Sequence, residues 1–310
     1  MCEEHFFGGQ AVVEGCLMKG KEHITVAVRK PDKSIKVKLE KYTSLTKSIP
    51  LLGKPFLRGI IILFEMIVMG MKALTWSANE SVDEEEEKLT RNEIILTVTL
   101  SFIFSILIFV IAPYAITTWF GIQEESRSIL FNVVDGIVKI AIFLGYIAAI
   151  GMMHDVKRIF QYHGAEHKSI TCFENKKALT VKNVQSFSAI HPRCGTSFIL
   201  LVITTGIIIF SVVPDLVAWL FPAFKSLQWS VRRGILLLVR IIFMVPVAGI
   251  SYEVLKLAGK YKNSIFLKAI VYPGMLMQKL TTQPPSDDQV EVAIAGLKKL
   301  LKAEKVKEYK

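Results

Sequence analysis

The sequence lacks several features that would assign it at once to a common class of protein. None of its four cysteines forms a CxxC pair, so we expect reduced thiols. The amino-terminal stretch MCEEHFFGGQ has no apolar run, and we therefore expect no cleaved signal peptide. No stripe of basic and aromatic residues stands out, which argues against a nucleic-acid partner. No fixed-period repeat is present, which excludes a repeat array.

What the chain has in excess is apolar residues and positive charge. Of its 310 residues, 52% are hydrophobic. The mean hydropathy of +0.43 is too high for an ordinary soluble protein of this size. The net charge is +11 and the isoelectric point is about 9.4. On a membrane protein this excess marks cytoplasmic loops, so we expect the lipid bilayer as partner, with anionic lipid at its cytosolic face.

Four apolar segments predict membrane-spanning helices. They cover residues 94–120, 129–153, 196–220 and 234–257. The first segment contains no charged residue, and Pro113 inside it is expected to kink the helix. At about 1.5 Å per residue, each segment is long enough to cross a bilayer. The predicted fold class is a mainly α, polytopic membrane protein with about four transmembrane helices.

A further apolar segment, residues 55–74, is interrupted by charges. Arg58, Glu65 and Lys72 are evenly spaced, which places them close to one stripe of a helix. Because a carboxylate in the middle of a lone span is costly, we favour an in-plane or re-entrant helix over a true crossing. The acidic run over residues 79–93 indicates a solvated linker or a helix start.

Residues 1–54 predict a small cytosolic β-rich unit. EHITVAVRK and KSIKVKLEKY alternate apolar and polar residues on either side of the PDK of residues 31–33. This pattern predicts a two-stranded hairpin. The preceding stretch, GGQAVVEGCLMKG, is Gly-rich and largely apolar.

Residues 258–310 predict a cytosolic amphipathic tail. The YPG of residues 272–274 is expected to break the preceding pattern. The SDDQ of residues 286–289 is a capping-box signature for a last helix of about residues 287–303. We expect the apolar face of this helix to pack on the cytosolic unit or to lie on the membrane. That face consists of Val290, Ala293, Ile294, Leu297, Leu300 and Leu301.

Lysine and arginine counts predict the orientation. The loop of residues 154–195 carries seven of these residues, whereas the hairpin of residues 121–128 carries one. We therefore predict a multi-pass protein of the cytoplasmic membrane, with this loop and both termini in the cytosol. The predicted domains are a β-rich unit (1–54), a helix and acidic linker (55–92), a four-span domain (93–257) and the tail (258–310).

Charged residues inside the spans predict a polar layer near the outer ends of the helices. Its members are Asp135, Lys139, Asp215 and Arg240. These side chains either neutralise one another and fix the register of the helices, or bind an ion or a lipid headgroup.

The loop of residues 154–195 holds the candidate chemistry. HGAEH, residues 163–167, matches the H-x-x-E-H pattern of metal-binding sites. On a helix His163 and His167 share a face and can reach one Zn²⁺, and Glu166 could polarise a metal-bound water. Gly164 argues against a long helix at this position. The alternative is a hydrogen-bonded polar cluster that ties the loop to the helix ends.

Other residues could complete such a site. His191 or Cys194 could supply a third ligand, since HPRCGTS closes the loop just before the third span. Alternatively, the Cys194 thiol is a small buried group. Glu14, an acid among apolar and Gly residues, could act as a ligand or base. Glu253, near the inner end of the fourth span, and Gln278 are further candidates.

Four stretches together resemble one protein family. GGQAVVEGCLMKG, YHGAEHKSI, HPRCGTSF and YPGMLMQKLTTQPP are similar, in the same order, to signature blocks of the YqhQ-like bacterial membrane proteins. That family is of unknown function and is described as predicted metal-dependent enzymes, so the resemblance implies an integral inner-membrane protein of bacterial type. The positions that it marks are Glu14, His163, Glu166, His167, His191, Arg193 and Cys194. Cys16 replaces a residue that is commonly aliphatic in the family, so we do not count it as a site residue.

Three hypotheses follow for the function. The first is a membrane-embedded metal-dependent hydrolase with a composite site at the cytosolic membrane surface. Its cofactor would be a divalent metal, with zinc as the first choice. Glu166 would be its general base, and Arg193 would hold an anionic group of the substrate. The second is a non-catalytic transporter or assembly factor, in which the cytosolic cluster is structural or metal-sensing and the outer charge layer is the working part. The third is a scaffold without any site, whose basic faces hold anionic lipid. The sequence leaves the substrate and the oligomeric state open.

Overall fold

The computed structural model describes residues 7–82, 90–122, 128–191, 194–261 and 264–309. Its strands are β1 (Gly8–Val12), β2 (Gly15–Lys19), β3 (His23–Arg29) and β4 (Ile35–Lys41). The first helices are α1 (Leu45–Ser48), α2 (Leu57–Glu80), α3 (Arg91–Ile106), α4 (Ala112–Trp119), α5 (Ser128–Ile150) and α6 (His154–Glu174). The remaining helices are α7 (Val181–Gln185), α8 (Gly195–Leu220), α9 (Trp229–Lys260), α10 (Ile265–Thr281) and α11 (Asp287–Ala303). The described chain is therefore mainly helical, with a small sheet near its amino terminus.

The sheet consists of two consecutive antiparallel hairpins. Its strand order is β1-β2-β3-β4, so each strand pairs with its neighbour in sequence. The predicted hairpin is confirmed as β3 and β4, in which Ala27 is opposite Val37. The Gly-rich stretch before it forms the second hairpin, β1 and β2, with Ala11 opposite Cys16. The sequence did not assign these two strands, because their residues do not alternate between apolar and polar.

Both faces of the sheet are covered by helices. Because side chains alternate along a strand, Cys16 and Met18 point to one face and Leu17 points to the other. The face with Cys16 packs on α6 and α11, whereas the face with Leu17 packs on α2 through Ala73. The sheet, α6 and α11, which are far apart in sequence, therefore share one apolar core, and the sheet and α2 form a second core on the other face.

Helix α11 confirms the prediction for the last helix. It spans Asp287–Ala303, and Ser286 and Gln289 form the capping box at its start. The six residues of its predicted apolar face are all buried, and they pack on the sheet and on α6. We expected this face to pack on the amino-terminal unit or to lie on the membrane, and the structure shows the packing on the amino-terminal unit.

Four helical segments are long and apolar enough to cross a membrane. In the described residues these are Arg91–Trp119, Ile129–Ile150, Gly195–Leu220 and Ser230–Ala258, close to the four predicted spans. A π-helical segment, Leu107–Ile111, joins α3 to α4 directly before the predicted kink at Pro113. Proline lacks the N–H that a regular helix needs, and a π segment is one way for the backbone to adapt.

Helix α2 is not among these four segments, and neighbouring residues bind two of its three predicted internal charges. The Glu65 carboxylate accepts hydrogen bonds from Tyr42 Oη at 2.5 Å and from Ser44 Oγ at 2.8 Å. The Arg58 guanidinium donates two hydrogen bonds to Glu253 of α9. Whether α2 lies in the membrane plane or crosses it stays a prediction.

Two expectations about local structure are wrong. The polar stretch at residues 154–195 was expected to be a loop, but α6 runs as a helix of 21 residues through Gly164. A Cβ at Gly164 would lie 2.2 Å from the carbonyl oxygen of Gln283, so this position needs glycine for close packing and not for a turn. The expected break at residues 272–274 is also absent, because α10 continues through Pro273. There Gly274 lets α10 approach α8, since a Cβ would lie 2.6 Å from the Cα of Ser197.

Three of the four charged side chains that were predicted to form a polar layer contact one another. Asp135 is buried and contacts Lys139 and Arg240, the latter with 3.7 Å between Nη1 and Oδ2. Asp215 was expected to join this layer, but it is exposed near the end of α8. At about 1.5 Å per residue, five residues separate Asp215 from the end of α8 by only about 8 Å, which allows its charge to be solvated.

Candidate metal site

Helix α6 brings two histidine side chains together. His163 and His167 are separated by one turn, so they project from the same face of the helix. Their ring centroids are 4.3 Å apart. His167 is buried and His163 is half-buried. The predicted sharing of a helix face is therefore confirmed.

Cys194 reaches these histidines from the amino end of α8. It is the N-cap residue of that helix, and its Sγ lies 3.3 Å from Nε2 of His163. One ligand atom from each of His163, His167 and Cys194 can be chosen so that all three lie within 4.8 Å of one another. In a tetrahedral zinc site, bond lengths of about 2.0 and 2.3 Å place ligand atoms about 3.3–3.6 Å apart. Small movements would bring these atoms to that spacing.

Backbone carbonyl groups fix the orientation of both imidazole rings. Nδ1 of His163 lies 2.8 Å from the carbonyl oxygen of Thr281, and Nδ1 of His167 lies 2.5 Å from that of Ala189. A carbonyl oxygen can only accept, so each Nδ1 carries a hydrogen, and in the neutral ring Nε2 has the lone pair that can bind a metal. Histidine ligands of metal ions usually have this kind of partner on the other ring nitrogen.

The charge environment suits a metal ligand set. Burial lowers the pKa of His167, which favours the neutral ring that binds metals, although the nearby Cys194 partly opposes this shift. The site thus brings together two imidazole nitrogens and one sulfur atom as possible ligands.

Glu166 lies on α6 between the two histidines and is 3% exposed. Burial raises its pKa to about 7, whereas His163 and His191 oppose this shift. Its carboxylate lies beside Gly9 of β1, close to the position that a Cβ would take. A carboxyl group with this pKa can both take up and release a proton near neutral pH.

His191 lies beside the three ligand residues but is held differently. Its ring centroid is 5.6 Å from that of His167, and its Nε2 is 3.6 Å from a carboxylate oxygen of Glu174. The buried amide of Gln278 binds its backbone twice: Oε1 accepts from the N–H at 2.8 Å, and Nε2 donates to the carbonyl at 2.9 Å. His191 is therefore a neighbour of the site that could move in as a fourth ligand.

Two acids predicted as site candidates have other partners. Glu14 lies in the turn between β1 and β2, where Arg158 donates two hydrogen bonds of 2.5 Å to its carboxylate. Tyr162 adds a third at 3.3 Å. Glu14 therefore joins the sheet to α6 and is not part of the ligand group, because two donors of a fixed guanidinium hold its carboxylate. Glu253 is likewise bound by Arg58 and is not part of the site.

The other predicted site residues can be placed briefly. Arg193 lies outside the described residues. Cys16, which we did not count as a site residue, is buried in the core, and its thiol donates to the carbonyl oxygen of Tyr162 at 3.3 Å. Sequence reasoning missed the carbonyl groups of Ala189 and Thr281, since a backbone group carries no residue-type signal. It also missed Glu174, which only the fold brings next to His191.

Comparisons with known proteins agree with the resemblance read from the sequence. Residues 54–303 match the family described as "Protein of unknown function (DUF1385)". The chain is 36% identical to "Uncharacterized protein YqhQ" of Bacillus subtilis (strain 168), and the match covers 97% of this chain and 94% of that protein. No solved structure matches the chain significantly.

Proposed function

Since the chain belongs to the DUF1385 family of YqhQ-like proteins, whose function is unknown, we propose a function from its geometry. We propose that it is a membrane-embedded, metal-dependent hydrolase. The observation that carries the proposal is the convergence of ligand atoms from His163, His167 and Cys194. Zinc is the metal that best suits two imidazole nitrogens and a thiolate.

Three protein ligands would leave one tetrahedral position for water. Catalytic zinc sites commonly have this composition, whereas structural sites are usually closed by four protein ligands. Bound zinc lowers the pKa of its water to about 7 and can polarise a substrate carbonyl or phosphoryl oxygen. His191 could close the fourth position, and in that arrangement the site would be structural.

Glu166 is the proposed general base. It is buried on the same helix as the two histidines, and its pKa of about 7 matches proton transfer at neutral pH. Arg193 remains the candidate for holding an anionic group, on the basis of the sequence alone.

The proposed location is the cytoplasmic membrane of a bacterium, with the site at the cytosolic face. The four apolar helices support a multi-pass protein. In this topology both termini, the sheet and α6 face the cytosol, since the Lys and Arg residues concentrate there. The substrate would be a peptide or a lipid phosphate that reaches the membrane surface.

A screen of the metal-loaded protein against peptide and phosphate-ester substrates tests this function. We expect turnover that a chelator abolishes and Zn²⁺ restores. In Glu166→Gln we expect bound metal but at least 100-fold slower turnover, since general-base catalysis contributes about 10²–10⁴-fold. His154→Ala is the matched control, because His154 lies on the same helix with its side chain 82% exposed. Stoichiometric metal without turnover on any substrate would contradict a hydrolase.

The same outcome would favour the second candidate, a non-catalytic transporter or assembly factor. A specific observation supports that candidate: Asp135, Lys139 and Arg240 form a buried charge cluster inside the predicted membrane domain. Ionisable residues at such depth commonly mark pathways for ions or substrates. In that case Asp135→Ala and Arg240→Ala would abolish function, and His163→Ala would be tolerated.

A further inference from the structure

A large cavity lies between the helices of the predicted membrane domain. Its volume is about 890 Å³, and α2, α5, α8 and α9 supply most of its wall. The wall is largely apolar and includes Leu63, Phe143, Ile203, Leu237 and Met244. Ligand sites usually measure about 300–1,000 Å³ and have mostly apolar walls with a few polar groups. The cavity thus has the size and the chemistry of a site for a ligand with a long apolar part.

The charge cluster forms a polar patch on the cavity wall. Asp135, Lys139 and Arg240 all line it, and Lys139 and Arg240 both contact the single carboxylate of Asp135. Asn132 positions the guanidinium, since its Oδ1 accepts from Nη2 of Arg240 at 2.7 Å. The Asn132 side chain is itself held, because Nδ2 donates to the carbonyl oxygen of Phe210 at 3.0 Å.

One atom of this patch has no partner within the described chain. Asp135 is 2% exposed, and its Oδ1 is buried with no hydrogen-bond donor among the described residues. An unsatisfied buried carboxylate oxygen is costly, and native proteins rarely keep one without a bound group. A hydroxyl group of a ligand would satisfy it.

We infer that this cavity binds one anionic phospholipid. Its acyl chains occupy the apolar part, its phosphate contacts Lys139 and Arg240, and a headgroup hydroxyl donates to Oδ1 of Asp135. Basic pockets between transmembrane helices bind anionic headgroups on the cytoplasmic side of membranes, and this patch offers the same cationic groups near the predicted outer ends of the helices. The acyl chains distinguish this occupant from free phosphate, because the apolar wall offers nothing to an inorganic ion. The inference does not depend on the metal site, which other residues form.

A pair of glycine variants tests the apolar part of the cavity. Gly234 lines the cavity, and a Cβ at this position would meet no atom within 4 Å, so Gly234→Phe places a ring in open space. Gly145→Phe is the matched control. A Cβ at Gly145 would also meet no atom within 4 Å, but Gly145, in helix α5, is not part of the cavity wall. We expect Gly234→Phe to lose the lipid and Gly145→Phe to keep it.

A pair of arginine variants tests the polar patch. In Arg240→Gln the Asp135 carboxylate keeps its ion pair with Lys139 of the same helix α5, so it is not left without a counter-charge. Arg91→Gln removes an exposed cation outside the cavity and is the control. We expect Arg240→Gln to weaken the preference for an anionic lipid about tenfold, since it removes a charge-assisted contact to phosphate.

The measurement is native mass spectrometry of the delipidated full-length protein after titration with one of three probes. These are phosphatidylglycerol, phosphatidylcholine with the same acyl chains, and inorganic phosphate. We expect one phosphatidylglycerol per chain, about tenfold weaker binding of phosphatidylcholine and no effect of inorganic phosphate. Equal binding of the two lipids, a response to phosphate alone, or unchanged binding in Gly234→Phe would overturn the inference. Zinc content measured on the same variants should stay at the wild-type value, which separates this test from that of the proposed function.

Discussion

Nε2 of His163 lies 3.3 Å from the sulfur of Cys194, although 31 positions separate the two residues in the chain. His163 comes from the middle of α6, and Cys194 caps the amino end of α8. The contact therefore joins α6, which packs on the sheet, to the amino end of α8, one of the four candidate membrane spans. A metal bound by both residues would cross-link these two parts of the fold.

Removal of the metal should destabilise the protein. A ligand that binds only the folded state stabilises it by about 2.7 kcal/mol at a concentration 100 times its dissociation constant. A chelator should therefore lower the thermal midpoint of the wild-type protein in detergent. The double variant His163→Ala/His167→Ala should show no response to the chelator. An equal response in both proteins would place the metal at another site.

Cys194→Ser should weaken Zn²⁺ binding by roughly 100-fold or more, because a hydroxyl replaces the sulfur ligand and loss of even a supporting contact costs about 10–100-fold. Competition with a chromogenic zinc chelator measures the affinity. Cys172→Ser is the control: Cys172 is buried elsewhere in the core, where its thiol faces the carbonyl oxygen of Ala178 at 3.6 Å. The prediction fails if the two variants bind zinc equally well.

Gly164→Ala should weaken metal binding although Gly164 is not a ligand. Its new methyl group would collide with the Gln283 carbonyl and push away the chain that positions the Thr281 carbonyl at His163. Loss of such a supporting contact typically costs 10–100-fold in metal affinity, roughly the effect expected here. In Gly145→Ala the methyl group meets open space, so zinc affinity should not change. Unchanged affinity in Gly164→Ala would show that the carbonyl contact does not matter.

Glu14→Gln should reduce stability without loss of metal. The carboxylate accepts two hydrogen bonds from Arg158, and a glutamine at this position removes the negative charge of the acceptor. Because the Glu14 side chain is 25% exposed, we expect a cost of about 1–2 kcal/mol, below the upper range for charged hydrogen bonds. Thermal melting and zinc content measured on one preparation separate the two effects. Loss of zinc at unchanged stability would restore Glu14 as a ligand.

The sequence predicted those parts of the fold that depend on local patterns. The four apolar segments, the β3–β4 hairpin and the capped helix α11 all have periodic side chains or end signals that act within one segment. It failed at α6 and α10, where Gly164 and Pro273 look like helix breakers. At these positions tertiary packing overrides local propensity, as the close approaches of Gln283 to Gly164 and of Ser197 to Gly274 show.

The candidate site was predictable to a similar degree. The spacing of His163 and His167 identified two potential ligands, and the nearby HPRC stretch identified Cys194. The partners of Glu14 and Glu253 were not predictable, because Arg158 and Arg58 are distant in sequence and only the packing of α6, α2 and α9 brings them close. The sequence also could not show that Gln278 holds the backbone of His191.

The most direct test of the central claim is the metal content of the purified protein. Inductively coupled plasma mass spectrometry would compare the wild type with His163→Ala/His167→Ala and with the exposed control His154→Ala. The proposed site predicts about one metal ion per chain in the wild type and in His154→Ala, and none in the double variant. Absence of metal from the wild type, even after reconstitution with Zn²⁺, Mn²⁺ and Fe²⁺, would contradict the metal site and the hydrolase built on it.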